Sequence, residues 1–238
     1  MPHEQMTDRQ VAAYLHLDVR EVAKLASRGK LPARKSRGKF VFVKSDVDHW
    51  VEQQIHSLSP QRLADIARGV SAHHGLDAQA VLVAPMIPPG GVAVPLKART
   101  AVAALRALVD LGCAAGMVHD RQRLLEEVRA REKLCSTAVV AGAALPHPRH
   151  PMPYDIEASF IVVGLAAAGI PFGAPDGTLT RLFFLICCKD DRTHLHVLAR
   201  LAQMLGDVDA VGEMLAATDG EQLTGILHRR ELAVLGKG

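Results

Sequence analysis

Two β-type apolar runs, Ala158 to Leu165 and Leu179 to Cys188, constrain the fold of this chain more than any other feature. Short continuous apolar runs bounded by turn residues are typical of strands buried inside a sheet. Helical patterns alternate with these runs: Thr100 is predicted to cap a helix that Gly112 closes, Asp120 to start another, and His194 to Leu205 has the helical spacing of apolar residues. Strands that alternate with helices predict a three-layer α/β domain, which we place at residues 79–238.

Composition indicates the nature of the core and of its surroundings. Hydrophobic residues make up 49% of the chain and aromatic residues 4%, so we expect a core built mostly of Ala, Leu and Val. The four cysteines form no C-x-x-C pair, so neither a zinc knuckle nor a redox motif is indicated and a reducing cytosol is favoured. The longest apolar run, Phe160 to Ile170, is too short to cross a bilayer. We therefore expect a cytoplasmic protein without membrane insertion.

Residues 1–56 carry a helix-turn-helix pattern. Thr7-x-x-Gln10 predicts a capped helix, and Asp18-x-x-Glu21 predicts the start of a second helix after a short break. A turn at Ser36 to Gly38 separates two extended runs, which indicates a wing. Ser45 is then predicted to cap a third helix. Two short helices joined by a tight turn and followed by a wing are typical of DNA-binding domains.

Basic residues cluster in this segment, although the net charge of the whole chain, +3, predicts no partner by itself. Seven basic residues and no acidic residue lie from Arg28 to Lys44. A basic second helix beside a basic wing can neutralise several DNA phosphates at once. The alternative is a solvated basic face on a small protein-interaction domain. The predicted DNA contacts are Arg20, Lys24, Arg28, Arg34, Lys35, Arg37 and Lys39.

The same segment resembles the excisionase/MerR type of winged domain over about residues 6–55. The resemblance implies DNA binding through the second helix and the wing, and it names no operator. Residues 57–78 are predicted to be a linker with a connecting helix, patterned from Gln61 to Val70, and we assign no chemistry to them. The stretches that carry the resemblance are Thr7 to Ala12, Gly29 to Ala33 and Lys44 to Trp50.

Three polar residues of the larger domain could carry chemistry. His147 stands in a proline-rich loop, and a fixed loop can hold a neutral imidazole in line with a phosphoryl group. Arg131 ends a predicted helix and could fork onto phosphate oxygens. His194 lies in the opening turn of another helix, where free N–H groups favour an anion. Taken one by one, a surface histidine, an exposed helix charge and a helix-capping residue are the better interpretations.

Together, these residues and their neighbours resemble the IIA domain of the sugar phosphotransferase system, of the fructose–mannitol/nitrogen-regulatory type. The resemblance implies a mixed sheet between helices, phosphorylation of His147, and stabilisation of the phosphoryl group by Arg131 and His194. Pro148 departs from the glycine common in the family and removes a backbone N–H, which Arg149 could replace as a phosphate ligand. The motifs, in order between about residues 79 and 232, are Arg131 to Thr137, Gly142 to His147, Ile170 to Gly177, Leu182 to Leu185 and His194 to Ala202.

The resemblance implies a phosphohistidine carrier that needs no metal or organic cofactor, rather than a stand-alone enzyme. The expected partners are a histidine phosphocarrier (HPr-like) protein, DNA, and a downstream IIB-like or regulatory protein. A homodimer is expected because a single winged domain makes a small interface. Two alternatives stay open. One is a DNA-binding regulator whose IIA-like domain is a non-phosphorylated dimerisation or ligand-sensing scaffold, and the other is a zinc protein using His147, His150, His194 and His196.

Overall fold

A computed structural model describes residues 4–36, 38–54, 60–75, 77, 80 and 82–236 of the chain. The chain divides into two compact units, Met1–Ala78 and Gln79–Gly238. In the part of the chain covered by these ranges, no helix is both long and apolar enough to cross a membrane.

The N-terminal unit combines short helices with a three-stranded antiparallel sheet of strand order β1-β3-β2. The predicted capping box is confirmed, because the Thr7 amide donates to Gln10 Oε1 at 2.8 Å and the Gln10 amide donates to Thr7 Oγ1. Asp18 caps the second helix by accepting from the Arg20 amide. Strands β2 and β3 form the predicted wing. The elements are β1 (Gln5–Thr7), α1 (Asp8–Leu15), α2 (Val19–Ser27), β2 (Arg34–Ser36), β3 (Lys39–Val43), α3 (Lys44–Gln54) and α4 (Pro60–His74).

The start of α3 differs from the prediction. This helix begins at Lys44, so Ser45 lies inside the helix and is not its cap. The Lys44 amide donates to the carbonyl oxygen of Glu4, and its ammonium contacts Asp48 at 2.6 Å one turn further on. These two contacts fix Lys44 between the sheet and the helix, which the sequence pattern does not reveal.

Helix α4 packs against α1 and is longer than the pattern from Gln61 to Val70 predicts. It continues to His74 and ends before Gly75, whose φ of +64° favours glycine. At Gly69, a Cβ would clash with the carbonyl oxygen of Tyr14, so the two helices approach closely. Arg62 donates to the carbonyl oxygens that end α1. The predicted connecting helix is therefore part of the N-terminal unit, while linker residues 57–59 lie outside the described ranges.

The second unit contains a five-stranded mixed sheet of strand order β4-β7-β8-β6-β5. Strands β4 and β7 run parallel, as do β6 and β8, and the other neighbours are antiparallel. The elements are β4 (Val92–Leu96), α5 (Ala101–Ala114), α6 (Arg121–Leu134), β5 (Ala138–Val139), β6 (Ala143–Ala144), β7 (Phe160–Ile170), β8 (Thr180–Cys187), α7 (Asp191–Leu205), α8 (Val208–Leu215) and α9 (Gly220–Gly236).

Helices cover both faces of this sheet, which confirms the predicted three-layer α/β fold. On one face, Leu108 of α5 and Leu124 of α6 share a buried cluster with Val162 of β7. Side chains alternate along a strand, so the buried Ile161 and Phe184 point to the opposite face. Helices α7 and α8 contact β8 on the opposite face, so α7, which carries His194, lies on that side of the sheet.

Two details of the second unit differ from the prediction. Gly112 does not end α5, which runs on to Ala114; a Cβ at Gly112 would approach the Phe160 ring to 3.1 Å, so this glycine permits close packing of helix on strand. Strands β5 and β6 were not predicted, because strands of two residues have no periodicity to detect.

A buried ion pair joins the beginning of the second unit to its last helix. Glu231 of α9 is fully buried and contacts Arg200 of α7 at 3.2 Å. Its carboxylate also accepts from the amides of Leu82, Val83 and Ala84. We call this arrangement the Glu231 clasp. A buried carboxylate is tolerated because hydrogen bonds and a cation replace the water that it loses.

Candidate functional site

His147 lies where the carboxyl ends of two parallel strands meet. The residue follows β6, and the Ile186 amide of β8 donates to the carbonyl oxygen of Pro146 at 2.9 Å. Helix α7, which carries His194, begins soon after β8 ends. Because β6 and β8 are parallel, the segments that leave their carboxyl ends emerge at the same edge of the sheet. This topology brings the two histidines together.

Both ring nitrogens of His147 have defined partners. Nδ1 lies 2.7 Å from the carbonyl oxygen of Leu145, and a carbonyl oxygen can only accept, so Nδ1 carries the proton. Arg131 donates its Nε–H to Nε2 at 3.0 Å. Nε2 therefore presents a lone pair, held towards a guanidinium. The side chain is 3% exposed, which excludes the interpretation of His147 as an ordinary surface histidine.

Arg131 is buried in the last turn of α6. Its side chain is 1% exposed, so the interpretation as an exposed helix charge is wrong. Besides His147, the guanidinium donates to the carbonyl oxygen of Cys135 at 3.0 Å and contacts its Sγ at 3.4 Å. Cys135 directly follows the last residue of α6, and the hydrogen bond to its carbonyl oxygen orients the guanidinium towards the imidazole.

His194 packs against His147, with 4.8 Å between the ring centroids and 58° between the ring planes. Asp190 caps α7 by accepting from the Thr193 amide at 2.8 Å, which places His194 in the first turn. The side chain is 7% exposed. His196, on the same helix, is also buried.

Arg149 and His150 lie at the rim of the site. Both residues are exposed, whereas the neighbouring Pro148 is buried. A small pocket runs from this rim to His194, and it is lined by Pro148, Arg149, His150, Pro151, Cys188 and His194. Arg149 thus shares a pocket with His194, and its role as a phosphate ligand stays a prediction.

Among the described residues, no three His, Cys, Asp or Glu side chains come close enough together to hold a metal ion. The four histidines of the zinc alternative are separated by this geometry into a buried set and an exposed His150. The guanidinium of Arg131 lies against Nε2 of His147, and a guanidinium repels a cation. Its chemistry suits an anion.

The predicted DNA contacts lie on one helix and on the wing of the N-terminal unit. On α2, at its end and on the wing, the described residues of this set are all exposed, namely Arg20, Lys24, Arg28, Arg34, Lys35 and Lys39. Arg37 lies outside the described residues. Lys44, which belongs to the acid-free basic stretch, is buried against Asp48 and Tyr14 and is not available to DNA.

Sequence reasoning assigned no role to Glu132, although it is the neighbour of Arg131. The Glu132 carboxylate accepts from the amide of Thr137 at 2.9 Å and from its hydroxyl at 2.5 Å. Burial raises the pKa of Glu132, and hydrogen bonds from Thr137 oppose that effect. A glutamate followed five residues later by threonine just past a helix end is the sequence signal, and it is too common to be specific.

Comparison with known proteins gives matches in both units. Residues 86–229 match the family model of the phosphoenolpyruvate-dependent sugar phosphotransferase system, EIIA 2. Residues 6–55 match the model of a helix-turn-helix domain.

Curated relatives and solved structures match the second unit. The nitrogen regulatory protein of Bradyrhizobium diazoefficiens is 30% identical over 145 residues, which cover 60% of this chain and 92% of the relative. The fructose-specific EIIABC component of Bacillus subtilis is 27% identical over 49% of this chain, which spans only 18% of that relative. The crystal structure of the nitrogen regulatory protein IIA-Ntr from Neisseria meningitidis aligns with a TM-score of 0.56 and 21% identity, covering 62% of this chain and 99% of that one. This last likeness concerns the fold alone.

Proposed function

The chain belongs to the EIIA 2 family of the phosphoenolpyruvate-dependent sugar phosphotransferase system and carries an N-terminal helix-turn-helix domain, and from this premise we propose that it accepts a phosphoryl group on His147 and couples that modification to DNA binding. The observation that carries the proposal is the convergence of Arg131 and His194 on a buried imidazole whose Nε2 is unprotonated.

Nε2 of His147 is the nucleophile in this proposal. Because Nδ1 holds the proton, Nε2 can attack phosphorus without first losing one. A bond forms between Nε2 and phosphorus while the bond between phosphorus and the donor's nitrogen breaks, and the electron pair of the broken bond stays on the donor. The positive charge that develops on the His147 ring is stabilised by the Leu145 carbonyl oxygen at Nδ1–H.

Arg131 has two successive tasks in this mechanism. In the resting site its Nε–H occupies the direction of the Nε2 lone pair, so the guanidinium has to move aside before phosphorus can approach. It can then donate to the phosphoryl oxygens, and a guanidinium does this with a fork of N–H groups. His194, whose ring lies tilted against that of His147, would donate to a further oxygen. Positioning and charge neutralisation then account for the rate.

The proposed partners follow from this chemistry. A histidine phosphocarrier of the HPr type would be the donor, and a IIB-like or regulatory protein would be the acceptor. The helix-turn-helix domain would make the phosphorylation state a transcriptional signal. A homodimer bound to paired half-sites would give the winged domains a sufficient interface with DNA. No metal or organic cofactor is required by these steps.

The direct test is phosphorylation of the intact protein with labelled phosphoenolpyruvate, its kinase and a histidine phosphocarrier. We expect one label per chain that is lost in acid and stable in base, as a phosphohistidine is. Omitting the phosphocarrier is the control and should give no label. Absence of label under conditions that phosphorylate the carrier would leave the second unit as a dimerisation or ligand-sensing scaffold.

Arg131 and His194, which contact the His147 ring, should affect the rate of phosphoryl transfer. We expect His194→Gln and Arg131→Lys each to slow phosphorylation by about 30- to 150-fold, since the lost charge-assisted contact costs about 2–3 kcal/mol. Both substitutions retain side-chain volume, which matters because the two residues are buried and alanine would leave a cavity. Rapid-quench labelling measures the rates.

His228→Gln is the matched control for these variants, because His228 is an exposed histidine on α9. It should transfer at the unaltered rate, and thermal unfolding should show that all three variants are folded. Unchanged rates for both His194→Gln and Arg131→Lys would remove the assigned roles.

A further inference from the structure

Glu132 is connected to the loop of His147 through a series of hydrogen bonds. Glu132 stands beside Arg131 in the last turn of α6. One carboxylate oxygen accepts from the Thr137 amide and the other from the Thr137 hydroxyl. The carboxylate therefore fixes both the backbone and the side chain of Thr137.

Thr137 transmits this restraint to Leu145. The carbonyl oxygen of Thr137 accepts from the Leu145 amide at 3.0 Å. This bond extends the antiparallel pairing of β5 with β6, in which Ala138 faces Ala144. Leu145 in turn presents its own carbonyl oxygen to Nδ1 of His147 at 2.7 Å. Each step is a hydrogen bond of 2.5–3.0 Å between buried or half-buried groups, so we expect displacement of Thr137 to displace the acceptor that orients the imidazole.

Partial burial of the Glu132 carboxylate disfavours its charged form. Burial raises the pKa of Glu132, while hydrogen bonds from Thr137 and Ser136, and the charge of Arg131, oppose the effect. A position that needed only to fill space would be satisfied more easily by an apolar side chain. Each carboxylate oxygen of Glu132 accepts a hydrogen bond from Thr137, so its orientation is specified.

We propose that Glu132 is a positioning residue for the acceptor histidine, which acts through Thr137 and the Leu145 carbonyl to keep the proton of His147 on Nδ1 and the lone pair on Nε2. The last turn of α6 then controls both nitrogens of one imidazole: Arg131 contacts Nε2 directly, and Glu132 fixes the partner of Nδ1. This inference rests on the proposed function of His147, but its first consequence, the tautomer of the ring, exists before any phosphoryl group arrives.

The test is nitrogen NMR of the intact protein labelled with ¹⁵N-histidine, combined with the rate of labelling from the phosphocarrier. We expect His147 of the unaltered protein to be the Nδ1–H tautomer. Glu132→Ala should give a mixture of tautomers and a transfer rate lower by about 10- to 100-fold, the loss expected for a hydrogen bond to a charged group. Glu132→Gln can still accept from the Thr137 amide and should restore most of both readouts.

Glu126→Gln is the matched control, because Glu126 is an exposed glutamate on the same helix. It should change neither the tautomer nor the rate. If Glu132→Ala does not fold, Glu132→Asp withdraws the carboxylate by one methylene and takes its place. A folded Glu132→Ala or Glu132→Asp protein with an unaltered His147 tautomer and rate would overturn the inference. Failure of the unaltered protein to take up label would instead overturn the proposed function, since the tautomer is measured independently.

Discussion

Replacing His147 by alanine or glutamine is expected to abolish phosphorylation, with no label detectable where the unaltered chain takes up one phosphoryl group. The expected loss is complete because the substitution removes the proposed nucleophile, whereas Arg131 and His194, which contact its ring, are proposed only to assist it. Glutamine retains side-chain volume in a position that is 3% exposed, so it separates loss of the nucleophile from loss of packing. Labelling from the phosphocarrier, read by gel and by mass spectrometry, measures the result.

The control for this prediction is His194→Gln, which should be slow but should reach the same final label. Peptide mapping at alkaline pH should place the label on the peptide that contains His147. A His147→Gln protein that still labels fully would show that another residue is the acceptor, and it would remove the proposal for this site.

Binding of the intact protein to DNA is expected to fall by roughly 10²–10³-fold when Arg34, Lys35 and Lys39 are all replaced by alanine, measured at about 0.1 M salt. These wing residues are exposed. For each DNA phosphate that a cationic side chain neutralises, affinity falls by nearly tenfold when the salt concentration rises tenfold. The slope of log affinity against log salt should fall by about three. Anisotropy titration on genomic fragments gives both quantities.

A matched triple substitution tests whether the effect belongs to the wing or to the total charge. Lys97, Arg99 and Arg106 are exposed in the second unit, and replacing them by alanine removes the same charge. We expect that variant to bind DNA as the unaltered chain does. Arg20→Ala or Lys24→Ala should instead change which sequences are preferred, because α2 is the recognition-like helix. If the unaltered protein does not bind even at about 50 mM salt, the N-terminal unit is a protein-interaction module.

Four helix starts were predictable because local chemistry determines them. Thr7, Asp18, Thr100 and Asp120 each accept from an amide two or three residues on, as the capping patterns predict. Positions set by distant neighbours were not predictable. Gly112 lies inside α5, where the absence of a Cβ leaves room for the Phe160 ring of β7. Lys44 begins α3, and its amide donates to the carbonyl oxygen of Glu4 beside the sheet.

The composition of the candidate site could be predicted from the family resemblance, whereas its geometry could not. Arg131 and His194 gave no decisive signal of their own, since an arginine or histidine near a helix end is usually exposed. Their positions depend on tertiary structure: the parallel pairing of β6 with β8 brings His194 to His147, and Arg131 contacts the same imidazole from α6. The contacts of Glu132 could not be predicted either, because the hydrogen bonds that connect it to His147 pass through backbone groups, which leave no pattern in the sequence.

The Glu231 clasp has a consequence for how the second unit can be combined with other chains. It joins Val83, near the start of the unit, to α9, near its end, with 2.9 Å between amide nitrogen and carboxylate oxygen. A unit whose first and last segments lie side by side can be inserted into a longer chain, or joined to a different neighbour, without separating parts of its own core. The clasp thus permits fusion of the second unit to other domains, and a helix-turn-helix domain is one example of such a fusion partner.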